Sequence, residues 1–212
     1  MQTNKNKIFL RGRLAAPPAP SHVNHGIPYL TFPLTVRRLS GAEDRLNVVA
    51  SQEQLDQLPP LEAGDPLAVW GEVRTFNNRS GVGSRLVVSV FARELSQEEG
   101  EDENRLELSG TLCKSPILRS TPLGRTICDM ILAINRRYGR ADYLPCIAWG
   151  SLAYRCGSMG VGDRLSLEGR LQSRVYTKEV DGRLQERTAF EVSVMSLTQE
   201  TGVDSHSPFG VS

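Results

Sequence analysis

Apolar and polar side chains alternate along the second half of the chain in short runs, each bounded by turn-forming residues. The runs are Leu106-Glu107-Leu108-Ser109-Gly110-Thr111-Leu112, Thr126 to Asn135, Tyr143 to Trp149, Arg164 to Val175 and Thr188 to Met195. A period of two over such lengths predicts half-buried strands, five in all. Between the third and fourth, Ser151-Leu152-Ala153-Tyr154-Arg155-Cys156 reads as a short helix, with Ser151 as N-cap and Leu152 and Cys156 four apart on one side. The first half has a matching segment, Ser51 before Glu53-Gln54-Leu55-Asp56-Gln57-Leu58, stopped by Pro59-Pro60. Pro122-Leu123-Gly124, Val180-Asp181-Gly182 and Asn77-Asn78-Arg79-Ser80-Gly81 predict hairpin loops. Five short strands with one helix between the third and fourth is the order of an OB-fold barrel. The predicted fold class is all-β, with two tandem OB-fold five-stranded barrels.

The tandem arrangement follows from an internal repeat. Asn6 to Gly12, Arg37-Arg38, Gly64-Asp65 and Gly71 return as Asn104 to Gly110, Arg136-Arg137, Gly162-Asp163 and Gly169, with the glycines displaced by 98 positions. A period near 100 residues is too long for a solenoid and fits a duplicated small domain. The expected division is residues 1–95 for a first, divergent OB-fold domain, 96–104 for an acidic linker, 105–199 for a second, and 200–212 for a disordered tail.

Charge adds to this division. The net charge is +1, yet residues 1–95 hold 11 cationic against eight acidic side chains and residues 105–199 hold 14 against nine. The linker carries five acids and no cation, and the tail two acids. Such a spacer beside two basic domains is expected to compete with a polyanion for their grooves. Of the 25 cationic residues 21 are Arg, which suits bidentate contact with phosphate and stacking on flat rings. Cys113, Cys128, Cys146 and Cys156 lack CxxC spacing and neighbouring histidines, so buried reduced thiols are expected and no metal or cofactor. The first 20 residues contain no apolar signal-peptide core, and no window approaches the roughly 18 apolar residues of a membrane span. A cytoplasmic, nucleoid-associated protein without membrane partners is expected. Gly81-Val82-Gly83-Ser84 and Gly160-Val161-Gly162-Asp163 lack the GK[ST] of a phosphate loop, and no catalytic set of Ser, His and Asp is present. The chain does not read as an enzyme.

Strand parity then selects candidate binding residues. Tyr143 and Trp149 share one face of the third strand, with Leu144, Cys146 and Ala148 on the other. Arg170, Gln172, Arg174 and Tyr176 share a face of the fourth, with Lys178 beyond. Arg136, Arg137 and Tyr138 close the second strand. Rings interleaved with Arg on one sheet surface are what single-stranded nucleic acid requires, because each base offers a π-face and each phosphate takes a cation. In the first copy Arg37-Arg38 recurs and Trp70, Glu72, Arg74 and Phe76 share a face, while Arg45 and Ser51 stand at the positions of Tyr143 and Trp149.

The run from Gly110-Thr111-Leu112 through Leu132-Ala133-Ile134-Asn135-Arg136-Arg137-Tyr138 and Ile147-Ala148-Trp149-Gly150 to Gly162-Asp163 and Glu168-Gly169-Arg170-Leu171-Gln172-Ser173-Arg174 resembles the bacterial single-stranded DNA-binding protein family. The resemblance covers nearly all of the second copy. The first shares only glycines, arginines and strand order. It implies an OB-fold that wraps single-stranded DNA, with Tyr138, Tyr143, Trp149 and Tyr176 at the family's base-stacking positions. It also implies a homodimer supplying four OB-folds. Family members commonly end in an acidic tip closing on an apolar pair that recruits replication or repair proteins, and here only Asp204 and Pro208-Phe209 echo it. Three rival readings use the same fold: an accessory related to primosomal replication protein N acting through protein contacts, an OB domain for RNA or oligosaccharide, and a first copy that serves only assembly.

Overall fold

The structure is a computed structural model that describes residues 5–78, 86–136, 139–180 and 182–200. The first half contributes β1 (Asn6–Leu14), β2 (Ala19–Asn24), β3 (Ile27–Arg37), β4 (Glu43–Ser51), α1 (Gln52–Asp56), β5 (Pro66–Asn77) and β6 (Leu86–Ser96). The second contributes β7 (Glu103–Leu112), β8 (Ile117–Ser120), β9 (Thr126–Asn135), β10 (Ala141–Trp149), α2 (Ser151–Gly157), β11 (Arg164–Val180) and β12 (Arg183–Gln199). In the first half β1 pairs with β3, β3 with β4, β4 with β6, β6 with β5 and β5 with β1, which closes a five-stranded barrel. The cycle repeats as β7, β9, β10, β12 and β11. Both are OB-folds. Leu10, Phe32, Leu46 and Val90 fill the first barrel, and Leu108, Leu132, Leu144 and Val192 the second.

Each half also carries one strand beyond the expected five, β2 and β8, forming hairpins with β3 and β9. Every residue of both is exposed, so neither has the buried face that produces an alternating signal. Of the two expected helix caps, Ser51 is found and Ser151 is not. In α1, Ser51 is the N-cap and forms a reciprocal capping box with Gln54. In α2, Ser151 is the first helical residue and Gly150, at φ 57°, is the N-cap with no side-chain hydrogen bond.

The repeated glycines have two causes. Gly71 and Gly169 sit at β-bulges, at Trp70/Gly71 and Glu168/Gly169, where a Cβ would run into the carbonyl oxygens of Phe91 and Ser193. Gly64 and Gly162 take φ of 97° and 96°, backbone that other L-residues rarely adopt.

The barrels join through their first strands. β1 runs antiparallel to β7 from Asn6↔Leu108 to Arg11↔Glu103, so twelve strands share one sheet. Ile8 pairs with Leu106, its own counterpart 98 residues on, while Lys7 pairs with Glu107 and Phe9 with Arg105. The register therefore places a local two-fold axis at Ile8/Leu106, the self-complementary geometry of an isologous contact.

Polar contacts around this pairing obey the same two-fold, Arg74 apart. Asn6 exchanges two hydrogen bonds with the Val73 backbone, at 2.8 and 2.9 Å, and Asn104 does so with Leu171, at 2.6 and 3.1 Å. Asp44 (1% exposed) accepts from the Arg38 guanidinium at 2.5 and 2.7 Å and, across the junction, from the Ser173 backbone N–H at 2.8 Å. Asp142 (0% exposed) accepts from the Arg136 guanidinium, from the Thr75 N–H at 2.5 Å and from Arg74 at 3.2 Å. The return contacts run from the Arg45 N–H to Ser173 Oγ and from the Tyr143 N–H to Thr75 Oγ1. Each barrel thus buries a carboxylate that its own Arg neutralises and the other barrel's backbone completes. The structural counterpart of Arg136 is therefore Arg38, one residue out of step with the alignment of the two Arg dipeptides.

The spacer residues Gln97 to Asp102 cross between β6 and β7, with the carboxylates of Glu98, Glu99 and Asp102 held by the first barrel. Arg13 is bidentate on Glu99 at 2.7 and 3.2 Å, and Arg11 meets Glu98 at 3.6 Å and Glu103, the first residue of β7, at 3.3 Å. Arg11 Nε also donates to the Glu101 carbonyl, and Asp102 accepts from the Arg37 N–H at 2.6 Å.

Because the clamp is buried, Asp142→Asn should lower the unfolding free energy by about 3–5 kcal/mol, since the Arg136 charge loses its counter-charge. Urea unfolding monitored by circular dichroism would measure this. A loss no larger than that of an exposed control such as Glu53→Gln would remove the clamp from the stability account.

Candidate nucleic-acid interface

Strand β10 sets the site. Its inward side chains, Leu144, Cys146 and Ala148, are core, which turns Tyr143 and Trp149 outward at 50% and 39% exposure. Pro145 and Ile147 lie between them on the outward face, and Ile147 is buried. The Tyr143 backbone is fixed from the other barrel by Thr75 at 2.9 Å, so the interdomain clamp also orients the first ring of this face.

Two strands further over, β11 supplies cations. Ile147 pairs with Ser193 and Ser193 with Arg170, placing an apolar side chain, a small one and a guanidinium in one row across the sheet. Nε of Arg170 is buried with no hydrogen-bond partner. Gln172, expected outward, is 8% exposed and donates to Glu191 at 2.8 Å. Arg174 lies over the ring of Tyr176 at 5.6 Å, a cation–π pair, with exposed Lys178 beyond it. The strands of this hairpin run the full length of Arg164–Val180 and Arg183–Gln199, longer than the alternation in the sequence indicates.

At the strand ends, Arg38 and Arg136 hold their forks against Asp44 and Asp142, and the Asp44 hydrogen bond raises the Arg38 pKa above its ordinary value. Arg74 is likewise shared between Glu72 and Asp142. Arg37 is exposed, as is Phe76 at 56%. Arg137 and Tyr138 lie outside the described residues, as do Asp204, Pro208 and Phe209 of the tail.

Trp70, on the same outward parity as Glu72, Arg74 and Phe76, packs against Phe9 at 4.8 Å with the rings tilted by 40°, and Arg11 sits over Phe9 at 5.6 Å. Sequence reasoning did not find the cluster of His22, Tyr29, Phe91 and Arg93. Tyr29 and Phe91 are 5.4 Å apart and tilted by 43°, His22 lies parallel to Tyr29 at 5.0 Å, and Arg93 covers Phe91 at 5.3 Å. These four come from three strands, β2, β3 and β6, so no single stretch of sequence carries the pattern.

The reverse of β10 is chemically quiet. Burial pushes the Cys146 thiol far up and that of Cys156 to about 11, and Cys128 is raised as well. Among the described residues no group of His, Cys, Asp and Glu forms a metal site.

Such a fold and face define a tandem OB-fold protein with an aromatic and cationic sheet surface. Comparison with known proteins extends this: residues 103–199 match the single-strand binding protein family. The single-stranded DNA-binding protein A of Bacillus subtilis is 32% identical over 106 residues, covering 47% of this chain and 62% of that protein. That of Deinococcus radiodurans is 23% identical over 95% of this chain and 78% of its own length. The crystal structure of the single-stranded DNA binding protein from Thermus aquaticus superposes with a TM-score of 0.76 at 26% identity, over 95% of both chains. The likeness to that family thus lies in the second barrel, and the likeness to the Thermus aquaticus structure extends over both barrels. The chain spans 54% to 62% of the length of curated relatives such as those of Listeria innocua and Bacillus cereus.

Since the thiolate is the reactive form, iodoacetamide at pH 8 should label half-buried Cys113 in the native protein and spare Cys128, Cys146 and Cys156 until denaturant is added. Peptide mass mapping reads this directly. Fast native labelling of Cys146 would contradict the packing behind β10.

Proposed function

We propose that this protein binds single-stranded DNA without strong sequence preference and protects or organises it in replication, recombination or repair. The observation that carries the reading is the outward set on the second barrel: Tyr143 and Trp149 on β10, then Arg170, Arg174, Tyr176 and Lys178 on β11. Bases stack on the rings and phosphates pair with the cations, a division of labour that tolerates any base because every base has a π-face. Arg37, Arg74 and Phe76 extend the surface on the first barrel, with Arg137 and Tyr138 as further contacts. Residues 105–199 form the principal binding domain, and the role is binding rather than catalysis.

We also infer a homodimer that assembles four barrels. One barrel-to-barrel contact is already made inside the chain by β1 and β7, so two chains suffice. A cytoplasmic location accords with this role. Among the described residues no helix is long and apolar enough to cross a membrane.

Titration with oligo(dT) at rising salt, followed by tryptophan fluorescence, tests the binding. Quenching with an affinity that falls steeply with salt is expected, because stacking quenches indole and phosphate contacts release counterions. Trp149→Ala with Tyr176→Ala should weaken binding by about 1–3 kcal/mol per ring. Equal affinity for duplex DNA, or no change in the double variant, would overturn the reading. Light scattering should give about twice the chain mass of 23.4 kDa; a monomer at micromolar concentration would remove the dimer.

A further inference from the structure

On the first barrel, Arg45 and Ser51 occupy the positions of Tyr143 and Trp149, so the strand equivalent to β10 carries no ring. The rings lie on its two neighbours instead. Ser51 pairs with Tyr29 on β3, where Trp149 pairs with Ile127 on β9. Val49 pairs with Phe91 on β6, where Ile147 pairs with Ser193 on β12. In the first pair the aromatic has crossed to the adjoining strand while keeping the outward face, and in the second Phe91 adds a ring where the other barrel has none. Phe91 in turn pairs with Glu72, the counterpart of Arg170.

These rings form a continuous surface. His22, Tyr29 and Phe91 stand in a row from β2 to β6, with centroids 5.0 and 5.4 Å apart. Arg93 covers the far end, its side chain 56% exposed and its guanidinium 3.1 Å from Glu72. A groove of about 450 Å³ runs beside them, lined also by Arg74, Phe76 and, from the second barrel, Arg136. β2 adds nothing to the core, since all six of its residues are exposed, yet it holds His22 parallel to Tyr29 at 8°. A flat ring at the open end of a tilted aromatic pair, with a cation at the other, matches a chain of bases alternating with phosphates.

We propose that His22, Tyr29, Phe91 and Arg93 form a second base-stacking platform for single-stranded DNA, displaced by one strand from the platform on β10. The inference rests on the single-stranded DNA reading above and gives the first barrel a binding surface of its own. The rings take the bases, and Arg93 exchanges Glu72 for a phosphate.

An oligo(dT) of about 10 nucleotides fills one barrel and one of about 35 spans both, given about 4–16 nucleotides per OB-fold. For the full-length Tyr29→Leu, Phe91→Leu variant, the longer oligomer should bind at least about 10-fold more weakly, with less than about two-fold change for the shorter one held by the second barrel. Tyr29→Phe with Phe91→Tyr should restore wild-type affinity, which a purely structural role of the leucine change would not require. Glu72→Gln should tighten the longer oligomer and steepen its salt dependence. On the unmodified protein, ultraviolet cross-linking to iododeoxyuridine-substituted oligomers should give adducts on peptides containing Tyr29 or Phe91. Adducts confined to peptides of the second barrel, or a leucine variant with unchanged long-oligomer affinity, would overturn the platform while leaving the DNA-binding reading in place. Absence of any single-strand binding by the wild-type protein would instead overturn that reading.

Discussion

The antiparallel pairing of β1 with β7 is the constraint on which everything else depends. It merges two barrels into one sheet and fixes their relative orientation by a ladder of backbone hydrogen bonds. The buried side chains of Ile8, Leu10, Leu106 and Leu108 fix which face of the ladder points inward, yet a shift by two residues keeps that face. The buried carboxylates supply what the ladder lacks, because Asp44 and Asp142 find their backbone donors at Ser173 and Thr75 in one register only. Such a slip would leave two buried charges short of donors, a cost of several kcal/mol.

The same clamp links architecture to the binding face. Thr75 receives the Tyr143 N–H on the strand that displays the rings of the second barrel, and Ser173 receives the Arg45 N–H at the equivalent point of the first. Each barrel therefore steadies the outward strand of the other. This coupling is symmetric, whereas the surfaces it steadies are not: rings lie on β10 in one barrel and on the strands flanking β4 in the other. The duplicated scaffold is constrained by buried charges and bulge glycines, and the outward positions are free to diverge because they contribute little to folding.

Much of this was legible in the sequence. The alternation at Leu106 to Leu112 and Tyr143 to Trp149 gave strand and face together, since one side of each is packed against a core. The glycine repeat gave the duplication, because Gly71 and Gly169 answer to the same carbonyl clash. What stayed hidden has physical reasons. The strands β2 and β8 are wholly exposed and carry no periodicity. The ion pairs of Arg38 and Arg136 were hidden because an arginine's partner is set by tertiary structure, and the Asp six residues on looks like any surface acid. The His22, Tyr29 and Phe91 cluster is assembled from three strands separated by up to 69 positions, beyond the reach of local pattern.

The six residues from Gln97 to Asp102 have a larger consequence than their length suggests. Each barrel carries both sides of the joint, an outward first-strand edge, a buried Asp with its Arg, and a Ser or Thr backbone site, so each is chemically competent to pair with a copy of itself. Between partners of nearly equal chemistry, proximity decides. A short tether raises the local concentration of the linked barrel to the order of millimolar, far above that of any free chain. Its acids are further anchored on Arg11 and Arg13, which shortens the reach. The tether thus acts as a sorting device: it makes unlike barrels meet where like ones would otherwise compete, and every molecule presents one surface of each kind.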